Sequence, residues 1–140
     1  MRHGLGLAAA LLLASPGAAT AGPTLEHGVA VLQGLDKVTA RVSVLELRIG
    51  EEIRFGSLAI RARACLETPP TEPPESAAFL EIDEVEAGDG PEAVFTGWMF
   101  ASTPGISALE HPVYDVWVID CAEPLAGDEP GTPTPAESPQ

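Results

Sequence analysis

Basic residues are scarce in this chain and absent from its second half. Lys and Arg together number 7 among 140 residues, against 21 Asp and Glu, and the last of the basic residues is Arg63. A nucleic-acid-binding protein neutralises phosphates with clustered cations, and anionic lipid attracts the same cations. The composition therefore argues against both of these partners. The acidic excess favours solubility and low self-association over a surface that faces a basic partner.

Long hydrophobic runs are also missing, apart from one short stretch at the start. Residues 5–14 are apolar, Arg2 and His3 precede them, and residues 19–21 (Ala-Thr-Ala) form a small-x-small cleavage site. A membrane-spanning helix needs about 20 apolar residues, so this run is too short to span. The layout predicts a cleaved secretory signal peptide over residues 1–21, export to the periplasm, and no transmembrane segment after cleavage.

Cysteine is limited to two residues, Cys65 and Cys121. Neither lies in a C-x-x-C arrangement and no His cluster accompanies them, which argues against a redox pair or half of a metal site. In an oxidising compartment two cysteines most simply pair, so we expect a Cys65–Cys121 disulfide. Such a bridge stabilises a small domain by about 4 kcal/mol in the chain-entropy model.

Short segments of alternating apolar and polar residues, separated by Gly and Pro turns, fill the middle of the chain. Residues 38–44 alternate with strand periodicity, and a phase shift at Val44-Leu45 predicts a β-bulge or bend. We predict an all-β fold, a small antiparallel β-sandwich or barrel of five to seven short strands over residues 36–122. Residues 123–140 have almost no apolar content and are predicted to form a disordered acidic, Pro-rich tail.

The segment between the signal peptide and the β domain, residues 22–35, is ambiguous. Its apolar residues have a loose helical spacing that two glycines, Gly28 and Gly34, weaken. We interpret it as an N-terminal arm, which is a short helix, an extended segment or a partner-binding tail.

Candidate catalytic residues are few. A Ser/His/Asp set would use His111 as its base, with Ser107 and Asp115 nearby in sequence, but no nucleophile-elbow motif surrounds any Ser. Asp115 and Asp120 have opposite parity on a strand, so they are poor partners for acid/base work. The acidic loop at residues 86–90 lacks the spacing of a calcium loop. We predict no enzyme, no cofactor and no metal, with a hydrolase that uses His111 as an alternative.

Aromatic residues make up only 5% of the chain, and most of the large ones lie late in the sequence. The first interpretation is a hydrophobic core, to which we assign Trp117. The second is a protein-binding surface, because aromatic residues and Met are enriched at the centres of interfaces. The predicted partner-binding residues are Trp98, Met99, Phe100, His111 and Tyr114.

The most distinctive motifs of the chain lie between Gly97 and Cys121. G-W-M-F-A-S-T-P at residues 97–104, S-A-L-E-H-P-V-Y-D-V-W at 107–117 and D-C at 120–121 resemble an exported alphaproteobacterial domain-of-unknown-function family, DUF2155. The resemblance covers residues 34–122, and both cysteines stand where the family places its own. Further similar segments lie at residues 35–39, 55–56 and 77–82.

No activity is assigned to that family, so the resemblance supplies no catalytic residue. It implies a partner, because genes of this family tend to lie beside one for an accessory subunit of respiratory complex I. The resulting expectation is a non-enzymatic periplasmic protein-binding module, an accessory subunit on the periplasmic face of complex I. The alternative is a soluble cell-envelope maintenance or assembly factor.

Overall fold

The computed structural model describes residues 24–86 and 88–124. The predicted signal peptide, residues 1–21, and residues 125–140 of the predicted tail lie outside the described residues. Within the described part, no helix is long and apolar enough to cross a membrane. The elements, in chain order, are β1 (Leu25–Glu26), β2 (Val29–Asp36), β3 (Arg41–Arg48), β4 (Glu52–Phe55), β5 (Leu58–Glu67), β6 (Ser76–Glu84), β7 (Glu92–Phe100), α1 (Pro104–Ser107), β8 (Leu109–Glu110) and β9 (Tyr114–Ala122).

The strands form two antiparallel sheets that pack against each other. Sheet A has the order β1-β5-β6-β7, with β4 also paired to β5, and sheet B has the order β3-β2-β9-β8. Side chains alternate along each long strand between the core and the opposite face. On β6, for example, Leu80 and Ile82 are fully buried, whereas Glu81 and Asp83 lie on the other face. The predicted all-β fold is confirmed, with additional very short strands.

One hydrophobic core lies between the sheets, and a disulfide joins them. Cys65 on β5 and Cys121 on β9 are bonded, with their Cα atoms 5.8 Å apart. This confirms the predicted disulfide and shows that it connects sheet A to sheet B. The largest fully buried side chains besides Cys65 are Leu32, Leu47, Leu58, Ile60, Leu80, Ile82, Met99, Val116 and Val118.

Residues 24–35 belong to the sandwich, which corrects the prediction of a separate N-terminal arm. β2 lies between β3 and β9 in sheet B, and its residues Ala30 and Leu32 are fully buried. The loose helical spacing was misleading because a short segment with many apolar positions also satisfies strand alternation. The described part of the predicted arm is therefore a short edge strand followed by most of a central strand.

β3 is a regular strand, without the bulge predicted at Val44-Leu45. All 8 of its residues pair with β2 in unbroken register. Leu45 and Leu47 pack on the core, whereas Val42 and Val44 point outward with 51% and 60% of their surface exposed. The apparent phase shift therefore reflects a strand with apolar residues on both faces.

Candidate functional site

The outer face of sheet A carries a group of apolar side chains close to β1. On β6, Ala77 pairs with Leu66 of β5 and with Phe100 of β7, and Phe79 pairs with Trp98 of β7. These side chains point outward because the alternate residues of the same strands fill the core. We call this group the aromatic patch, which comprises Leu66, Ala77, Phe79, Trp98 and Phe100.

Phe79 and Trp98 hold each other in a defined arrangement, and Trp98 and Phe100 remain accessible. The rings of Phe79 and Trp98 meet edge to face, with centroids 5.5 Å apart and planes at 81°. Trp98 and Phe100 are each 40% exposed, although both lie on a regular strand. An edge-to-face pair stabilises a fold by about 1 kcal/mol beyond the effect of buried area. The rings of Phe79 and Trp98 are therefore positioned before any partner binds.

A shallow cavity of about 300 Å³ opens beside these rings. Its walls are mainly apolar, and two carboxylates, Glu67 and Glu75, lie on its border. Glu75 is held in place because it accepts hydrogen bonds from the Ser102 backbone N–H, at 3.0 Å, and from the Ser102 hydroxyl. A cavity with apolar walls and an acidic border suits an apolar side chain flanked by basic or hydrogen-bond-donating groups.

Met99 and Trp117 are placed differently from their predictions. Met99 lies between the two outward rings of β7 and is therefore directed into the core, where it is 1% exposed, so it is not a surface residue. Trp117 on β9 lies on the outer face of sheet B, between the buried residues Val116 and Val118, so it is not in the core. The period-2 alternation of each strand decides both positions.

Sequence reasoning missed Leu66, Ala77 and Phe79 as members of the patch. The strand of Ala77 and Phe79 was recognised but its pairing with β7 was not, and Leu66 was assigned to the Pro-rich loop that follows Cys65 and not to a strand. Only the register of β5, β6 and β7 shows that these residues line up beside Trp98 and Phe100. Long-range register of this kind has no local sequence signal.

His111 and Tyr114, the other predicted partner-binding residues, lie far from the aromatic patch. His111 contacts Glu84 at one end of β6, whereas the patch surrounds Ala77 near the other end, so about 20 Å separate them. The Tyr114 ring stacks on His111 at 5.7 Å and meets the Phe55 ring edge to face at 5.3 Å. The structure therefore divides the five predicted residues among two surfaces and the core.

His111 takes part in a small polar cluster with Ser57 and Glu84. His111 Nε2 lies 3.2 Å from Glu84 Oε2, and the Ser57 hydroxyl donates to the same oxygen at 2.8 Å. The Val113 backbone N–H donates to His111 Nδ1 at 3.2 Å. The hydrogen bond from Ser57 is the main reason that the pKa of Glu84 is lowered, with further lowering by the Glu86 backbone and by His111, against the opposing effect of burial.

This cluster does not have the geometry of a catalytic triad. In a triad the His lies between the nucleophile and the acid, whereas here Glu84 lies between Ser57 and His111. The residues considered from sequence are also apart. The Ser107 hydroxyl bonds to the Thr103 carbonyl at 3.1 Å, and Asp115 pairs with Lys37 at 2.7 Å. The contacts among Ser57, Glu84 and His111 fit a structural role, in which they connect the two sheets.

Metal-ligating residues do not converge in the described residues. Across 24–86 and 88–124, no group of three or more His, Cys, Asp or Glu side chains is arranged to hold a metal ion. Asp120, one of the carboxylates considered from sequence, accepts hydrogen bonds from the Ser76 hydroxyl at 3.3 Å and from the Cys121 backbone at 2.8 Å. Its role in the described fold is to join β9 to β6.

The fold and the patch define a disulfide-bonded β-sandwich with an exposed aromatic surface. The chain belongs to the DUF2155 family, described as "Uncharacterized protein conserved in bacteria", which matches residues 30–121, more than half of the 140 residues. The matched segment includes β2 to β9 almost entirely, so the family domain and the sandwich coincide.

An uncharacterized protein of Rickettsia prowazekii (strain Madrid E) is 31% identical to this chain over 87 residues. The similar region covers 62% of this chain and 56% of the Rickettsia protein, so the chain spans little more than half of that relative's length. No solved structure matches the chain significantly.

Proposed function

We propose that this chain is a non-enzymatic protein-binding module of an exported compartment and that the aromatic patch is its contact surface. The observation that carries the proposal is the exposure of Trp98 and Phe100, each 40%, on a rigid sheet beside an apolar cavity. Residues that dominate binding energy are enriched in such large aromatics, which give much contact area and lose little conformational entropy.

Export is supported by two independent features. The first 21 residues have the layout of a signal peptide, and Cys65 and Cys121 form a disulfide. Disulfides persist in oxidising compartments and are rare in the cytosol. In the proposal the module therefore acts in the periplasm.

The finer form of the proposal is an accessory subunit on the periplasmic face of respiratory complex I. Its support is the gene neighbourhood implied by the family resemblance. The alternative is a soluble cell-envelope maintenance or assembly factor. Co-fractionation with inner membranes favours the accessory subunit, and recovery from the soluble periplasm favours the envelope factor.

A hydrolase that uses His111 is the remaining alternative. The non-enzymatic proposal is supported by the position of Glu84 between Ser57 and His111, because the Ser57 hydroxyl donates to the carboxylate and not to the imidazole that a Ser/His/Asp set would use as its base. In a deletion strain, a folded His111→Ala variant should restore function fully. A folded variant that fails to restore function would favour the enzyme.

The patch is tested by affinity purification of the tagged, exported chain from membranes in mild detergent. We expect the native chain to recover a partner protein. The double variant Trp98→Ser/Phe100→Ser should recover at least about tenfold less of it. The matched control is Val38→Ser, because Val38 is 79% exposed but lies in the turn between β2 and β3 of sheet B, away from the patch. Equal recovery of the partner by both variants would contradict the proposal, provided that urea unfolding shows both to be folded.

A further inference from the structure

β3 is a long sheet edge that lacks most of the usual protection. Native proteins keep edge strands from pairing with other chains by shortening them, bending them with bulges or placing Pro and charged residues, especially Lys, on them. β3 has 8 residues, contains neither Pro nor Lys, and pairs with β2 without any bulge, and its charged residues, Arg41, Glu46 and Arg48, leave residues 42–45 uncharged. In the described residues it pairs with no other strand.

The other edges of the described sheets follow the protective rule. β1 and β8 have 2 residues each, and β4 has 4. β7 is longer, but its pairing with β6 contains a register shift, and the Phe100 backbone N–H is occupied because it donates to the Ser107 hydroxyl at 3.0 Å. The contrast within one molecule singles out β3.

The free backbone groups of β3 are identified by its pairing with β2. The Ile49 N–H donates to the Gly28 carbonyl at 2.9 Å, which makes this a hydrogen-bonded pair that continues the register of β2 and β3. Hydrogen-bonded and non-hydrogen-bonded pairs alternate along an antiparallel ladder. The N–H and C=O groups of Val42, Val44 and Glu46 therefore point away from β2, toward the open edge.

The side chains of the same residues provide an apolar surface next to these backbone groups. Val42 and Val44 are 51% and 60% exposed on the outer face of sheet B. Val44 is directly opposite Gln33 of β2, which in turn is opposite Trp117 of β9. Val42 is directly opposite Leu35 of β2. A strand added to β3 would extend this face and bury both valines.

We propose that the β3 edge receives an extended segment of a partner protein as an additional antiparallel or parallel strand. Main-chain hydrogen bonds to Val42, Val44 and Glu46 would provide affinity, and apolar side chains at alternate positions would pack beside the two valines. This surface is separate from the aromatic patch, because it lies on the other sheet.

Charge indicates what the added segment carries. Lys37, Arg61 and Arg63 form ion pairs with Asp115, Glu52 and Glu81 respectively. Arg41, at the start of β3, is exposed and lies directly opposite Asp36 of β2, but no ion pair joins it to this or any other carboxylate of residues 24–86 and 88–124. The Asp36 carboxylate instead accepts hydrogen bonds from the Val38 and Thr39 backbone N–H groups. An acidic residue of the added segment beside Arg41 would supply an ion-pair partner, so we infer an apolar segment with a carboxylate at the Arg41 end.

A second copy of this chain fits the edge less well than another protein. The formal charge of the chain is −14, so two copies repel each other.

The test measures binding of a synthetic peptide to the isotopically labelled exported chain. The peptide alternates Thr and Val, has Asp at both ends, and is capped at its termini. We expect the peptide to slow amide exchange at Val42, Val44 and Glu46. Val44→Pro should weaken peptide binding by about tenfold or more, because it removes an edge donor while leaving the β2 ladder intact. The matched control, Val44→Thr, keeps the N–H and should bind within about twofold of the native chain.

Two peptide variants test the same contacts without altering the protein. A peptide with N-methylated amides on its pairing edge should not bind, and one with Lys in place of Asp should bind more weakly. Absence of protection at the three amides at saturating peptide, or protection elsewhere, would overturn the proposal. Protection of these amides in the peptide-free protein that grows with protein concentration would assign the edge to a second copy, which also contradicts it.

Discussion

His111 Nε2 lies 3.2 Å from Glu84 Oε2, and this contact connects the two sheets. Glu84 ends β6 of sheet A, whereas His111 precedes β9 of sheet B. Ser57, in the turn before β5, donates to the same carboxylate oxygen. The disulfide between Cys65 and Cys121 joins the sheets near the opposite end of β5. The two sheets are thus joined at both ends, once by the disulfide and once by the polar contacts among Ser57, Glu84 and His111.

The Glu84 contact should make the stability of the protein depend on acid pH. The pKa of Glu84 is lowered from its ordinary value of 4.5, chiefly by the Ser57 hydroxyl. A carboxyl whose folded pKa lies below its unfolded pKa stabilises the fold above the unfolded value, and this contribution is lost as pH falls through the folded pKa. Urea unfolding of the native chain should therefore show falling stability below about pH 4.5.

Variants separate the contribution of Glu84 from those of other carboxyls. Ser57→Ala should raise the pKa of Glu84 toward its ordinary value, and Glu84→Gln should remove this part of the pH dependence. Carboxyl carbon NMR titration measures the first effect directly. A Glu84 titration curve that is the same in the native chain and in Ser57→Ala would show that Ser57 is not the main cause.

Loss of the disulfide should be costly. The bridge spans 56 residues of sequence, for which the chain-entropy model gives about 4 kcal/mol. The paired variant Cys65→Ala/Cys121→Ala should therefore lower the free energy of unfolding in urea by about 4 kcal/mol. A double variant as stable as the native chain would mean that packing alone determines the stability of this end of the sandwich.

Two glycines with positive φ differ in the space around them. Gly50 and Gly56 both have positive φ, +88° and +58°, but Gly50 has open space around it, whereas a Cβ at Gly56 would overlap the Tyr114 ring and hydroxyl. Gly50→Ala should cost about 1 kcal/mol from backbone strain alone. Gly56→Ala should cost about 3 kcal/mol, because displacement of Tyr114 adds to the strain. Equal losses in thermal unfolding would show that Tyr114 is free to move.

Truncation of the neighbouring residues Met99 and Phe100 should affect stability to different extents. Met99 is 1% exposed, so Met99→Ala should lower the free energy of unfolding by about 3 kcal/mol. Phe100 is 40% exposed, so Phe100→Ala should cost only about 1 kcal/mol in stability while weakening partner binding. A larger loss of stability from Phe100→Ala would place Phe100, and not Met99, in the core.

Local patterns in the sequence were sufficient for the fold class and the disulfide. Alternation along residues 77–85 and the Gly-Pro turns fix β6 and its ends, and two cysteines in a predicted exported chain pair most simply with each other. The same alternation also decides that Met99 points inward, but only once the start of β7 is known. An error of one residue in strand phase exchanges core and surface.

Long-range pairing was not available from the sequence. The aromatic patch depends on the register among β5, β6 and β7, and the open edge depends on β3 having a neighbour on one side only. The predicted bulge at Val44-Leu45 was wrong because apolar residues on a strand need not face the core. Val42 and Val44 lie on the outer face, beside the sheet edge that we propose receives a partner strand.

The most direct test of the aromatic patch is site-specific photocrosslinking in cells that export the protein. A photoreactive phenylalanine analogue replaces Phe100 in one variant and Asp89, an exposed residue of the turn between β6 and β7, in the control. A protein-binding module that uses the patch should give a discrete adduct of defined mass at position 100 and none at position 89. No adduct at position 100, or equal adducts at both positions, would contradict the proposal that this surface binds a protein partner.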